Sequence, residues 1–274
     1  MTTEASTADQ AVKAKHRAMW ASGDYPRLVS DLITGLGPAL VQAAGLAPGD
    51  RVLDVAAGTG NAALPAARDG ADVTASDLTP ELLEAGRRVA EAEGLTLAWE
   101  AGDAEHLPYD DDTFDAVVSC VGVMFAPHHQ EAADELVRVC RSDGTIALLS
   151  WTPQGFIGQA FAAMRPFAPP PPPGAQAPPL WGDEDHLADL FGARVTDLRS
   201  TRQDLEVGGF STGEEWRDYF KAVYGPTIAT YRNVVDDEER TAALDAELAA
   251  LPRRFGVADG PMRWEYLLTT ARKA

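Results

Sequence analysis

Between residues 51 and 150, short apolar runs alternate with longer stretches whose apolar residues recur every three or four positions. The runs predict strands near 51–56, 71–76, 95–101, 115–120 and 144–150. The helical spacing between them predicts helices over 60–69, 80–93 and 129–141. Thr79-Pro80-Glu81 has the form of a helix start: a capping residue, a proline suited to the first turn, and an acid favoured by the helix dipole. Asp143-Gly144 is expected to turn the last of these helices into the fifth strand. Strands alternating with helices predict a parallel sheet covered on both faces.

The flanks follow other patterns. Residues 1–9 are polar and are expected to be disordered. Helices are predicted over 11–20 and 27–44, separated by Ser22-Gly23-Asp24-Tyr25-Pro26; Gly45 and Pro48-Gly49-Asp50 stop the second. After Pro153 the rhythm breaks. Segment 166–179 holds the run Pro169 to Pro173, an extended and stiff stretch that reads as a surface connector or as a strap beside a pocket. A short helix over 183–191, strand material over 194–207, helices over 212–224 and 227–251 and a closing strand over 262–271 follow.

The chemistry begins at Val52-Leu53-Asp54-Val55-Ala56-Ala57-Gly58-Thr59-Gly60-Asn61, a buried strand entering a glycine turn and a helix. Glycine has no Cβ, so a nucleotide-like ligand can lie directly on such a backbone. Asp77, at the tip of the second strand, is placed to accept hydrogen bonds from both hydroxyls of a ribose. Gly102-Asp103-Ala104-Glu105-His106-Leu107-Pro108 follows the third strand and offers a carboxylate for an adenine amino group. Asp112-Thr113-Phe114-Asp115 then turns into a fourth strand ending at Ser119-Cys120. Gly58-x-Gly60-x-x-Ala63 also satisfies the dinucleotide fingerprint, with Asp77 near the expected distance, so a nicotinamide-dependent oxidoreductase is the alternative. Against it stand Asp54 before the glycines, the two later acidic turns in order, and the lack of a downstream Tyr-x-x-x-Lys pair. A non-catalytic cofactor-binding protein of the same fold is a second alternative, kept open by Ala56.

Together these residues resemble the class I S-adenosylmethionine-dependent methyltransferases, in the small-molecule branch that holds the ubiquinone- and menaquinone-biosynthesis-type enzymes. The resemblance covers residues 50–153, with further similarity at 151–158 and 264–268. One position departs: the family's turn reads acid-x-Gly-x-Gly-x-Gly, and Ala56 stands at the first glycine. The resemblance implies an α/β fold, a Rossmann-like seven-stranded mostly parallel sheet with helices on both faces, plus N-terminal helices and a helical lid insertion. Its last two strands, antiparallel, are placed at 194–207 and 262–271. It divides the chain into a helical segment over the cofactor site (1–44), a cofactor-binding core (45–153), and a remainder with the proline-rich loop and a lid (154–274, lid 212–258). The cofactor implied is S-adenosyl-L-methionine. Ala56, Gly58 and Gly60 would form the turn, and Asp54 would order it or bind the methionine ammonium through water. Asp77 would take the ribose, Leu78 would pack on adenine, Asp103 and Ala104 would read its edge, and Ser119 and Cys120 would offer backbone to the methionine moiety.

Methyl transfer from a sulfonium is an in-line displacement, so the protein needs to hold donor and acceptor close, aligned and dry. The expected acceptor is a small aromatic or quinone-like compound or secondary metabolite, methylated at oxygen, nitrogen or carbon. Ligands of open α/β sheets bind outside the carboxyl ends of the strands. Met124 and Phe125 beyond the fourth strand, Trp151 and Phe156 beyond the fifth, and Trp20 and Tyr25 of the N-terminal segment are therefore the expected pocket residues. His128 and His129 start a helix on the same edge and are the candidate general bases, since imidazole titrates near neutral pH; each also reads as an exposed helix-start residue. His106 falls in the adenine loop, and His16 and His186 look peripheral. Adjacent histidines diverge on a helix and no third ligand is evident, so no metal is expected.

At 274 residues the chain is ample for one large domain, or for a core plus an inserted cap. A formal charge of −19 repels phosphate backbones and argues against nucleic acid as a partner. No stretch is apolar enough to span a membrane, and Met1 to Gln10 lack an apolar signal region, so the expected location is cytoplasmic. Cys120 and Cys140 are too few for a disulfide framework. The pattern sets no oligomeric state.

Overall fold

A seven-stranded sheet in the order β3-β2-β1-β4-β5-β7-β6 organises the computed structural model, which describes residues 7–274. The strands are β1 (Arg51–Val55), β2 (Asp72–Asp77), β3 (Ala98–Ala101), β4 (Phe114–Cys120), β5 (Cys140–Trp151), β6 (Val195–Val207) and β7 (Met262–Lys273). β1 to β5 pair in parallel, with Leu53 opposite both Thr74 and Val117; β7 runs antiparallel between β5 and β6. Each predicted strand is present, and the Rossmann-like sheet with two late antiparallel strands is the observed one. Apart from Arg51 and Asp115 near their starts, β1 and β4 are buried, with Val52, Leu53, Val55, Val117 and Val118 at 0 % exposure, as strands with helices on both faces require.

The helices are α1 (Thr7–Trp20), α2 (Tyr25–Leu28), α3 (Leu36–Ala44), α4 (Ala63–Arg68), α5 (Pro80–Glu93), α6 (His129–Val139), α7 (Phe156–Met164), α8 (Glu184–Phe191), α9 (Gly213–Val223), α10 (Gly225–Val234) and α11 (Glu238–Arg254). Several depart from the expected bounds. Residues 1–6 of the segment expected to be disordered lie outside the described residues, and from Thr7 onward the chain is already helical. The helix expected over 27–44 is broken. α2 leads into a π-turn over Val29–Ile33, and α3 begins only after Gly35. Leu28, Ile33, Leu36 and Leu40 stay buried through the break, so the apolar rhythm hides it. The reason for the reset is contact: a Cβ on Gly37 would lie 1.6 Å from the Asn61 carbonyl oxygen, so α3 packs directly on the chain leaving the glycine turn.

The long helix expected over 227–251 is also two, α10 and α11. Asp237 restarts the second, its carboxylate accepting the Arg240 N–H at 3.0 Å, with Glu238 and Glu239 in the first turn. α6 ends at Val139, and Asp143-Gly144 falls inside β5 rather than before it, with Asp143 at φ 58. The helices between β6 and β7 are α9, α10 and α11. They join the sheet through an aromatic core in which Phe156 stacks on Trp264 (centroids 5.1 Å apart, planes 6° apart) and meets Trp216 edge-on.

Candidate cofactor and acceptor site

The chain order reverses between β1 and β4, and a crevice opens at the carboxyl ends of β1, β2 and β4, where such a sheet binds ligands. It is roofed by the N-terminal segment into a cavity of about 80 Å3. Its floor is strained. Ala56 stands at φ 54 after β1, and Val121 at φ 50 after β4. Left-handed backbone at non-glycine residues costs of order 1–3 kcal/mol and persists where surrounding structure enforces it, often at functional sites. The two positions interlock: a Cβ on Gly122 would lie 2.1 Å from the Ala56 carbonyl oxygen. Gly58 (φ 56) lies under the Tyr25 ring, and Gly60 (φ 85) lies against Trp99, which would stand 2.7 Å from an added Cβ.

Asp54 lies beneath the turn and does not line the cavity. Its Oδ2 accepts the Ala63 N–H at 2.8 Å, pinning the first turn of α4, while Oδ1 has no partner among the described residues. Burial pushes its carboxyl up to about 8. Asp77 does line the cavity. Its Oδ2 accepts the Gly58 N–H at 2.8 Å and its Oδ1 the Thr79 N–H at 2.7 Å, and burial raises its pKa. Ala56, Gly58, Leu78, Asp103 and Ala104 line it too.

Ser119 and Cys120 stand one step behind the wall. The Ser119 hydroxyl donates to the Val55 carbonyl at 2.6 Å and accepts the Val123 N–H at 2.9 Å, tying β1 to β4. Cys120 is buried, 3.5 Å from the Asn61 amide, and burial raises its thiol pKa. Val121 and Gly122 supply the wall instead. Of the expected pocket aromatics, Trp20, Tyr25 and Phe125 face the cavity. Trp20 lies edge-on to Tyr25 at 5.7 Å and to Phe125 at 4.7 Å. Met124, Trp151 and Phe156 do not. Met124 is wholly buried, and the other two belong to the aromatic core around Trp264.

The two candidate bases also lie elsewhere. His128 caps α6; its N–H donates to Glu105 Oε1 at 2.7 Å, and its ring lies 3.1 Å from Glu105 Oε2 and 3.4 Å from the Pro173 carbonyl. Burial lowers its pKa, but Glu105 more than compensates, and the net shift is upward. His129 is fully buried between Trp181 and His186, with ring nitrogens 2.9 Å apart across the histidine pair. Burial and the neighbouring imidazoles press it down to about 3. His186, half-buried, is therefore the partner of a buried histidine rather than peripheral. The proline-rich segment touches this edge, where Gln176 N–H donates to the Pro127 carbonyl at 2.9 Å, and none of its residues lines the cavity.

Sequence reasoning missed Lys13 and His16. With Trp20 they form one face of α1 at spacings of three and four, and all three line the cavity. That spacing was the available signal. Lys13 bonds Asp103 Oδ1 at 3.0 Å and makes a close ion pair with the buried Glu105. Burial and the Lys13 charge lower the pKa of His16, keeping it neutral. Among the described residues, Asp9, Glu105 and His128 bring ligand-type atoms within 4.8 Å of one another, but Lys13 already holds the Glu105 oxygen that faces His128. No helix of the described residues is long and apolar enough to cross a membrane.

Comparison with known proteins agrees with this geometry. A family model described as a methyltransferase domain matches residues 53–148. An uncharacterised protein of Mycobacterium tuberculosis, Rv1403c, is 52 % identical over 264 residues, 96 % of each chain. The demethylmenaquinone methyltransferase of Clavibacter sepedonicus is 38 % identical over 104 residues, 38 % of this chain and 42 % of its own. Among solved structures, the YcgJ protein of Bacillus subtilis superposes with a TM-score of 0.59 at 17 % identity, covering 86 % of this chain and 97 % of that one, a likeness of fold.

Proposed function

On the premise that the chain belongs to the class I S-adenosylmethionine-dependent methyltransferases, we propose that it methylates a small, largely apolar aromatic or quinone-like acceptor. Membership removes the nicotinamide reading of the glycine turn. The residues present fit the cofactor: Ala56, Gly58, Asp77, Leu78, Asp103 and Ala104 line one cavity, with backbone at the turn and carboxylates at the ends of the two neighbouring strands. When bound, S-adenosylmethionine supplies an electrophilic methyl group on a sulfonium. In our reading Asp77 receives the ribose, Leu78 and Ala104 enclose the adenine and Asp103 accepts its amino group.

The observation that carries the acceptor class is the division of the cavity. Its charged groups, Lys13, Asp77 and Asp103, gather along the β2 and β3 loops, while Trp20, Phe125, Ala126 and Pro127 make the far wall apolar, with the Tyr25 ring over the glycine turn between them. An apolar wall favours a flat neutral acceptor and excludes water, which strengthens each polar interaction inside. With His128 and His129 bonded elsewhere, His16 is the neutral imidazole on the cavity and the group we assign to take a proton from an acceptor hydroxyl.

The test is transfer of labelled methyl from S-adenosylmethionine to a panel of hydroquinones, catechols and phenols set beside charged amines and carboxylates. Turnover confined to the neutral aromatics is expected. Turnover confined to the charged compounds would overturn the acceptor reading.

A further inference from the structure

One buried cation holds α1 over the cavity. Lys13 is 8 % exposed and Glu105 2 % exposed, and their ion pair joins α1 to the loop after β3. A buried charge is costly unless it is paired and hydrogen-bonded. Here burial disfavours the ammonium, but Glu105 and Asp103 outweigh it and raise the Lys13 pKa above its ordinary value. A further ion pair from α1, Arg17 with Glu81, is exposed and of the kind that contributes little.

The same ammonium fixes the rotation of Asp103. Oδ1 accepts from Lys13 Nζ and from the Glu105 N–H, each at 3.0 Å. Oδ2 stands 3.9 Å from His106 Nδ1, beyond hydrogen-bond reach, and accepts no hydrogen bond among the described residues. Asp103 lines the cavity together with Ala104 and Leu78.

We propose that Lys13 is a cofactor-positioning residue: by occupying Asp103 Oδ1 it presents Oδ2 to the adenine amino group, so selection for a 6-amino purine depends on α1. The inference rests on the adenine role given to Asp103 above. An ionised carboxylate only accepts, so it pairs with an amino group and rejects a 6-oxo group. A site built around such a group discriminates strongly against a ligand lacking the donor.

The experiment is calorimetric titration with S-adenosylhomocysteine and S-inosylhomocysteine, which differ by a 6-amino against a 6-oxo purine. The wild-type chain is expected to favour the adenosyl ligand by about a hundred-fold. Lys13→Met alone takes the ammonium partner from the buried Glu105 and leaves it only His128 among the described residues, so the variant to use is Lys13→Met with Glu105→Gln, its folding checked by thermal melting. Its preference is expected to fall about ten-fold or more, while Glu105→Gln alone, which keeps Lys13 on Asp103, retains it. Asp103→Asn gives a second reading in an otherwise intact site. With Lys13 holding the amide oxygen, the amide NH2 faces the cavity, and the preference is expected to invert toward the inosyl ligand. Parallel weakening of both ligands in the double variant, with the ratio kept, would mean that Lys13 only supports the roof and would overturn the inference, as would an adenosyl preference surviving Asp103→Asn. A wild-type chain that binds neither ligand would instead sink the adenosyl assignment on which the inference stands.

Discussion

Asp77 Oδ2 accepts the Gly58 N–H at 2.8 Å, so the carboxylate that ends one strand clamps the glycine turn that follows its neighbour. The second oxygen holds Thr79 at the start of α5, and so one side chain fixes two loops of the cavity. Asp77→Ala is expected to weaken S-adenosylhomocysteine binding by about ten-fold or more and to destabilise the fold by about 1–3 kcal/mol, the range for buried donors left unsatisfied. Asp77→Asn keeps one acceptor and is expected to fall between. Calorimetry and thermal melting check both, and an unchanged dissociation constant in Asp77→Ala would remove the ribose role.

The pairing of Ala56 with Gly122 makes a second expectation. Ala56 keeps a left-handed backbone although it carries a Cβ, and its carbonyl lies where a Gly122 side chain would be. The obstacle is backbone, which cannot swing aside. Gly122→Ala is expected to cost about 2 kcal/mol or more and to abolish cofactor binding. Ala56→Gly relieves the strained position and is expected to change stability by no more than about 1 kcal/mol in either direction, since glycine also gains freedom in the unfolded chain. Denaturant melts of the two variants decide; equal losses would mean that the interlock is not the source of the cost.

Much of this site was legible because it is carried by local sequence. Ala56, Gly58, Asp77 and Asp103, which line the cavity, lie at or just beyond strand ends, where a strand, a turn and an acid recur in register, while Asp54 and Gly60 of the same pattern do not line it. Val121 and Gly122 were missed in favour of Ser119 and Cys120 because β4 runs to Cys120, and the left-handed turn of Val121 has no residue signature. Trp151 and Phe156 follow a strand end, as a pocket residue would, yet the Trp264 of a strand more than a hundred residues later claims them. Lys13 and His16 are the reverse case. Locally they carry only a shared helix face with Trp20, and their roles follow from where α1 lands on the Asp103–Glu105 loop. The same holds for His128 and His129, whose partners Glu105 and His186 come from distant segments.

The pairing of the buried His129 with the half-buried His186 makes stability fall in acid. His129 has a folded-state pKa lowered from 6.5 to about 3, and that of His186 is also lowered, each chiefly by burial. The unfolded chain therefore binds more protons than the folded one in that interval. The stabilisation is present in full above pH ~6.5 and is lost as the pH falls from there toward about 3. His128 runs the other way, since its raised pKa contributes stability below its unfolded value, which is lost as the pH rises through the folded one. Replacing His129 with Leu and His186 with Gln together is expected to flatten the acid limb of a melting-temperature profile between pH 4 and 6.5. An acid limb as steep as that of the wild type would assign the loss to other groups.

His16 carries the last expectation, which joins the roof to the chemistry. It stands on α1 three residues from Lys13 and four from Trp20 and lines the cavity within reach of the Lys13, Glu105 and Asp103 charges. Burial, together with the Lys13 charge, holds its pKa below 6.5, so it stays an unprotonated acceptor through the neutral range. Once an acceptor hydroxyl substrate is in hand, kcat should be level near neutrality and drop on the acid side with an inflection below 6.5, as His16 takes up its own proton. His16→Gln preserves bulk and hydrogen bonding but not basicity. It is expected to lower kcat by about 10²–10⁴-fold, the usual range for a positioned base, and to erase the inflection, while S-adenosylhomocysteine binding changes little. Full turnover with the acid limb intact in that variant would show that the acceptor arrives already ionised, or loses its proton to water, and that His16 serves only as part of the roof.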